Sequence, residues 1–175
     1  MCRKNVDESL EDAIANQRDV DPMVKQRGAF LACQNNNSSK KWIAPPEGII
    51  KLNADASLCN DGCNGLGVVA RNREAEVIFC ATRRVRAFWL PEIAECKALV
   101  MALRLGRRYG CANIIIEMDC KLLVDRLSKE AIYHTYLDSF AVGFFNSLLW
   151  SHVKRDGNCV AHHLASLVPF GVEQI

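Results

Sequence analysis

Three carboxylates in this chain stand where the local pattern would favour an apolar or neutral residue. Asp55 lies within Ile49–Ser57, where Leu52, Ala54 and Ala56 alternate with Lys51, Asn53 and Asp55 in the period of a strand. Glu95 falls in the first turns of a helix opened by Pro91. Leu99 and Ala102 follow it at i+4 and i+7, so Glu95 shares the apolar face, while Lys97, Arg104 and Arg108 take the solvated one. Asp119 closes the apolar run Ile114–Met118 just before another helix, and α/β sheets gather functional groups at such carboxyl ends. Singly, each acid has an ordinary structural explanation: a strand acid facing water, a helix-start glutamate complementing the dipole, an aspartate capping the next helix. Their order is the informative part, one in the first strand, one early in the first long helix, one ending the fourth strand. A zinc site is the other chemistry to weigh. Cys59 and Cys63 have permissible spacing, but no second pair matches them.

The elements that must position these acids follow from periodicity and punctuation. The Ile49–Ser57 strand is followed by a loop over Gly62–Gly67, a strand Val68–Arg71, a turn Asn72–Ala75 and a strand Glu76–Ala81. The long helix runs from Pro91 to about Tyr109, with Gly110 as its stop. Ile114, Ile115 and Ile116 begin a strand apolar on both faces, as a central parallel strand is. Helices are expected over Lys121–Lys129 and Tyr136–Leu149, a strand over Ser151–Lys154, and a last helix from Asn158, its cap, to about Leu167. Three hairpin-connected strands, then helix, strand, helices, strand and helix, make an α/β fold: a mixed sheet covered by helices.

The bulk numbers permit one ordinary domain in 175 residues. Residues 1–41 read as a flexible polar leader, 42–170 as the domain and 171–175 as a tail. Nine cysteines without framework spacing indicate a reducing compartment, and neither a secretory signal nor a membrane span is legible, so cytoplasm or nucleus is expected. A net charge of +2 neither demands nor excludes a nucleic-acid partner, so local basic patches matter more.

Five blocks in order resemble those of the plant ribonuclease H-like family, which is related to the C-terminal ends of retrotransposon reverse transcriptases. They are Trp42…Pro46-x-Gly48-x-x-Lys51-Leu52-Asn53-x-Asp55, Gly65-x-Gly67-x-Val69-x-Arg71, Ala94-Glu95-x-x-Ala98-Leu99, Glu117-x-Asp119, and His152-Val153-x-Arg155-x-x-Asn158-x-x-Ala161-His162-x-Leu164-Ala165. The resemblance spans about 42–168. It implies the ribonuclease H fold, a five-stranded mixed sheet with strands 1–3 antiparallel and strands 4 and 5 parallel. It further implies an endonuclease cutting the RNA strand of RNA–DNA hybrids, with Asp55, Glu95 and Asp119 holding two magnesium ions. The fourth site position departs: His162 stands where well-studied members have an aspartate. Neutral imidazole is a poor magnesium ligand but is acceptable to manganese, and His162 could instead order water or shuttle protons. Ala56 and Ala75 replace glycines usual in the family. The alternative reading is a catalytically decayed module that binds nucleic acid or protein.

Grip on a hybrid would come from phosphate and sugar contacts rather than base reading. The candidates are Arg83, Arg84 and Arg86 after the third strand, with Lys154 and Arg155; Arg104, Arg107 and Arg108 fit the wet face of the long helix equally well. Lys121–Leu149 carries three basic and three acidic residues, so no basic protrusion is expected there. His152 and His163 read as structural and surface residues. The expected molecule is a monomer with no membrane attachment.

Overall fold

The computed structural model describes residues 41–59, 62–128 and 144–167. Leader positions 1–40, residues 129–143 with most of the expected helix from Tyr136, and the end from 168 lie outside the described residues. β1 (Ile50–Leu58), β2 (Cys63–Arg71) and β3 (Val77–Arg86) form an antiparallel meander, α1 spans Pro91–Arg108, and β4 (Asn113–Met118) leads into α2 (Lys121–Ser128). β5 (Ser147–His152), a 3₁₀ turn (Arg155–Asn158) and α3 (Cys159–Ser166) complete the order. The sheet runs β3-β2-β1-β4-β5, with β4 parallel to both β1 and β5.

β4 lies inside the sheet between β1 and β5, and Ile114, Ile115 and Ile116 are buried on both of its faces as expected. α1 covers one face of the sheet, burying Ala94, Ala98, Leu99 and Ala102 against Leu52, Ala54, Val68 and Ala70. Its end follows the expected chemistry. Gly110 takes φ +67°, Gly110 N–H bonds Arg107 O and Cys111 N–H bonds Gly106 O, which closes the helix in a left-handed cap.

Three expectations need correcting. Gly62–Gly67 is not all loop, because β2 begins at Cys63. Its glycines serve contact rather than turning: a Cβ on Gly65 would fall on the carbonyl oxygen of Ala165, and one on Gly67 on that of Ala161. α3 therefore lies directly on β2, with Ala161 and Ala165 buried. Secondly, β3 continues to Arg86 instead of ending at Ala81, pairing through Cys63↔Arg86. Finally, Ser147–Leu149 extend along β4 as part of β5 rather than ending a helix. For a short apolar run such as Ser-Leu-Leu-Trp, hydrophobic period cannot separate helix from strand.

The β2–β3 turn holds an alanine at φ +65°, Ala75, braced by Ala75 N–H to Asn72 O and by Asn72 Nδ2 to Glu76 Oε2. A left-handed alanine costs about 1–2 kcal/mol, partly offset by the extra chain entropy that a glycine would lose. Ala75→Gly is accordingly expected to stabilise the domain by about 0.5–1 kcal/mol in urea denaturation. An unchanged or lower midpoint would contradict this.

Candidate metal centre

The register of the parallel pair brings two of the acids together. β1 and β4 pair Ile50↔Ile114 through Asn53↔Glu117, a constant offset of 64, so Asp55 and Asp119 are level just beyond the last pair. This is where the parallel pairing of β1 and β4 ends, at the carboxyl end of β4, while β1 itself runs on against β2 to Leu58. Carboxyl ends of parallel strands are the usual place for functional groups in such sheets. Glu95 arrives from the second turn of α1, and the Ala56 N–H donates to its carboxylate. One oxygen of each of Asp55, Glu95 and Asp119 lies within 4.8 Å of the other two.

Burial makes this cluster costly without a cation. Asp55 is fully buried, and burial, with the Asp119 charge adding to it, pushes its carboxyl up to about 6, against the lowering effects of His162 and Arg155. Glu95 is pushed up to about 8, mainly by burial and then by the charges of Asp55 and Asp119. Asp55 Oδ1 and Glu95 Oε2 are buried with no hydrogen-bond partner among the described residues. Unpartnered carboxylate oxygens converging in a partly dry site are a donor set that fits hard divalent cations.

His162 joins the cluster from α3. Its Nδ1 lies 2.7 Å from Asp55 Oδ2 and 3.2 Å from Arg155 Nη2. An ionised Asp55 only accepts, so in this contact Nδ1 carries the proton and donates to it. Arg155 cannot then donate to the same nitrogen. Its guanidinium acts by charge, with Nε 3.7 Å from Asp119 Oδ2.

The expected basic residues do not form one patch. Thr82 Oγ1 donates to Leu164 O, so the even positions of β3, with Arg84 and Arg86, share the α3 face. Arg83 alternates to the other side. Arg155 stands at the acids, and Lys154, exposed, precedes it. His152 ends β5 and His163 is exposed on α3. Asn158 precedes α3 but makes no side-chain cap bond. Its amide is used across the fold, donating to Ala54 O and accepting from Asn53.

Sequence reading missed a buried polar network beside the acids. Lys51 Nζ contacts Glu117 Oε1 at 2.9 Å and Ile43 O at 2.7 Å, and Asn53 Nδ2 reaches Glu117 Oε2 at 2.9 Å. Arg71 Nη2 donates to Asn53 Oδ1 while its guanidinium lies 4.1 Å from the Trp42 ring centre. The only signal was that Lys51, Asn53, Arg71, Glu117 and Asn158 all belong to the ordered blocks.

A mixed sheet of this order, flanked by helices and bearing three acids, within β1, just after β4 and near the start of α1, is the ribonuclease H fold. The chain belongs to the reverse transcriptase-like family, whose model matches residues 53–168. Similar solved structures include ribonuclease H1 from Halobacterium salinarum, at 20% identity and TM-score 0.58, covering 67% of this chain and 95% of that one. The N-terminal RNase H domain of a Mycobacterium tuberculosis protein matches at 23% identity and TM-score 0.57, covering 67% and 91%. LC11-RNase H1, isolated from compost and solved with an RNA/DNA hybrid, matches at 18% and 0.58, covering 67% and 94%. No curated protein sequence matches significantly. Among the described residues no helix is long and apolar enough to cross a membrane.

Proposed function

We propose that this chain is a divalent-metal-dependent endonuclease that hydrolyses the RNA strand of RNA–DNA hybrids. The observation that carries the reading is the convergence of Asp55, Glu95 and Asp119 with two buried oxygens that have no hydrogen-bond partner among the described residues. These three residues would hold magnesium, or manganese, which when bound activates water and stabilises the leaving oxygen of an in-line displacement. The protein's own groups do the rest. His162 fixes the orientation of Asp55 through Nδ1, and Arg155 offsets charge beside Asp119. Arg83, Arg84, Arg86, Lys154 and Arg155 supply phosphate contacts, split between two faces, so affinity is expected to be modest and salt-dependent. LC11-RNase H1, which shares the fold, was solved with such a hybrid, which supports the choice of substrate. On this reading 42–170 is the working domain, a monomer of cytoplasm or nucleus, and 1–41 is dispensable for cleavage.

One observation favours a second reading. The His162–Asp55 contact engages an oxygen that a fourth carboxylate would leave to the ion, as in a decayed module that still binds nucleic acid. Hybrid cleavage in magnesium and in manganese separates the two. If the site works with a weakened fourth ligand, its limit is metal occupancy. His162→Asp should then raise magnesium-dependent cleavage about tenfold, within the range expected when one ligand shell contact is changed. The starting protein should do relatively better in manganese. If neither protein cuts in either metal, yet both bind hybrid with a steep salt dependence, the enzyme reading is wrong.

A further inference from the structure

Two rungs of side chains join β1 to α3. Asn53 and Asp55, two residues apart, share one face of the strand, while Asn158 ends the 3₁₀ turn immediately before α3 and His162 lies one turn further on, within α3. Asn53 Nδ2 donates to Asn158 Oδ1 at 3.1 Å, and His162 Nδ1 meets Asp55 Oδ2 at 2.7 Å. The spacings match: two strand residues advance about 6.6 Å and four helical residues about 6 Å. When the first rung is set, the second falls into place.

The first rung is also fixed from behind. Asn158 Nδ2 donates at 2.9 Å to the carbonyl of Ala54, the residue before Asp55. Asn53 spends its amide hydrogens on Glu117 and Asn158 and accepts from Arg71, so its amide cannot be turned without losing bonds. Asn53 and Asn158 are 0% and 1% exposed, so water cannot replace a lost partner.

We propose that Asn158, held by Asn53 and by the Ala54 carbonyl, is a positioning residue of the metal centre. It sets the register of α3 on β1 so that His162 engages Asp55 Oδ2 and leaves Oδ1 facing the ion site. The inference rests on reading the three acids as metal ligands, but its first readout needs neither metal nor substrate. In the full chain, labelled with ¹⁵N and free of metal at pH 7.5, the His162 ring should show a protonated Nδ1, the tautomer that free imidazole in water disfavours. His162→Gln assigns the signals by removing them. Asn158→Ala should average the two tautomers and weaken Mn²⁺ binding by about tenfold or more, as loss of an outer-shell partner does. Asn158→Ser, with a shorter hydroxyl, should fall between and serves where the alanine protein is too unstable. Leu103→Ala, a buried α1 change that lowers stability by cavity formation, should move neither reading. The proposal is overturned if folded Asn158→Ala or Asn158→Ser keeps the starting tautomer, or if Leu103→Ala shifts it equally. Failure of the starting protein to cut hybrids would count against the proposed function alone, because the tautomer reports only the register of α3.

Discussion

Asp55→Asn is expected to abolish hybrid cleavage in magnesium and in manganese, by about a thousandfold or more, roughly 4 kcal/mol of barrier. Asn is nearly isosteric with Asp but cannot carry the negative charge that a hard cation needs. Hybrid affinity should change by no more than about threefold, since Lys and Arg contacts to phosphate supply it. The same substitution should raise the thermal midpoint of the metal-free protein above pH 7, because it removes a buried charge that Glu95 and Asp119 oppose. Loss of activity with loss of stability would mean instead that Asp55 is a structural acid. Retained cleavage in either metal would remove it from the site.

How much of this was legible beforehand can be judged residue by residue. Glu95 stood out on the apolar face of its helix and Asp119 at the close of an apolar run, while Asp55, in the polar half of its strand, was picked out by the order of the three acids along the chain. The triple isoleucine of β4 marked a strand buried on both faces, since local pattern is what a sequence displays. Lys51 and Asn53 were visible as the polar half of an alternation, but that half looked solvated. Its cover comes partly from Asn158, 105 residues away from Asn53, and no local rule anticipates that. Apart from its place in the last ordered block, Asn158 was legible as a cap, since capping is the local use of an asparagine before a helix. Gly65 and Gly67 resembled a loop because glycine's commonest local role is turning, whereas here each leaves room for a carbonyl of α3. The arginines of β3 were expected beyond the strand, whereas they lie inside it. Inside it, the period of two sends Arg83 away from Arg84 and Arg86. What the sequence hid was the non-local partner in each case.

The pH dependence of stability should test the proposed metal centre without any substrate. Burial and mutual repulsion raise the carboxyls of Asp55 and Glu95 to about 6 and about 8 in the folded protein. Between their ordinary values, near 3.8 and 4.5, and these raised ones, the folded state binds more protons than the unfolded state. The contribution of these two groups to stability should therefore fall as pH rises through that window. The contribution is fully present below about pH 4 and is lost progressively through 6 and 8, on the order of a few kcal/mol after allowance for the part of Glu95 that reaches solvent. In a chelator, the thermal midpoint should accordingly drop by about 5 °C or more between pH 5.5 and pH 8.5. Divalent cations bind the deprotonated carboxylates, so they compete with those protons. Added manganese or magnesium should restore the midpoint at pH 8.5 and do little at pH 5.5, by the mass action of a ligand that binds only the folded, ionised site. In Asp55→Asn and in Glu95→Gln both the decline with pH and the rescue by metal should shrink. A midpoint that rises with pH in chelator, or an equal shift by the ion at both pH values, would show that these carboxylates are not a preformed, uncompensated cluster waiting on a cation.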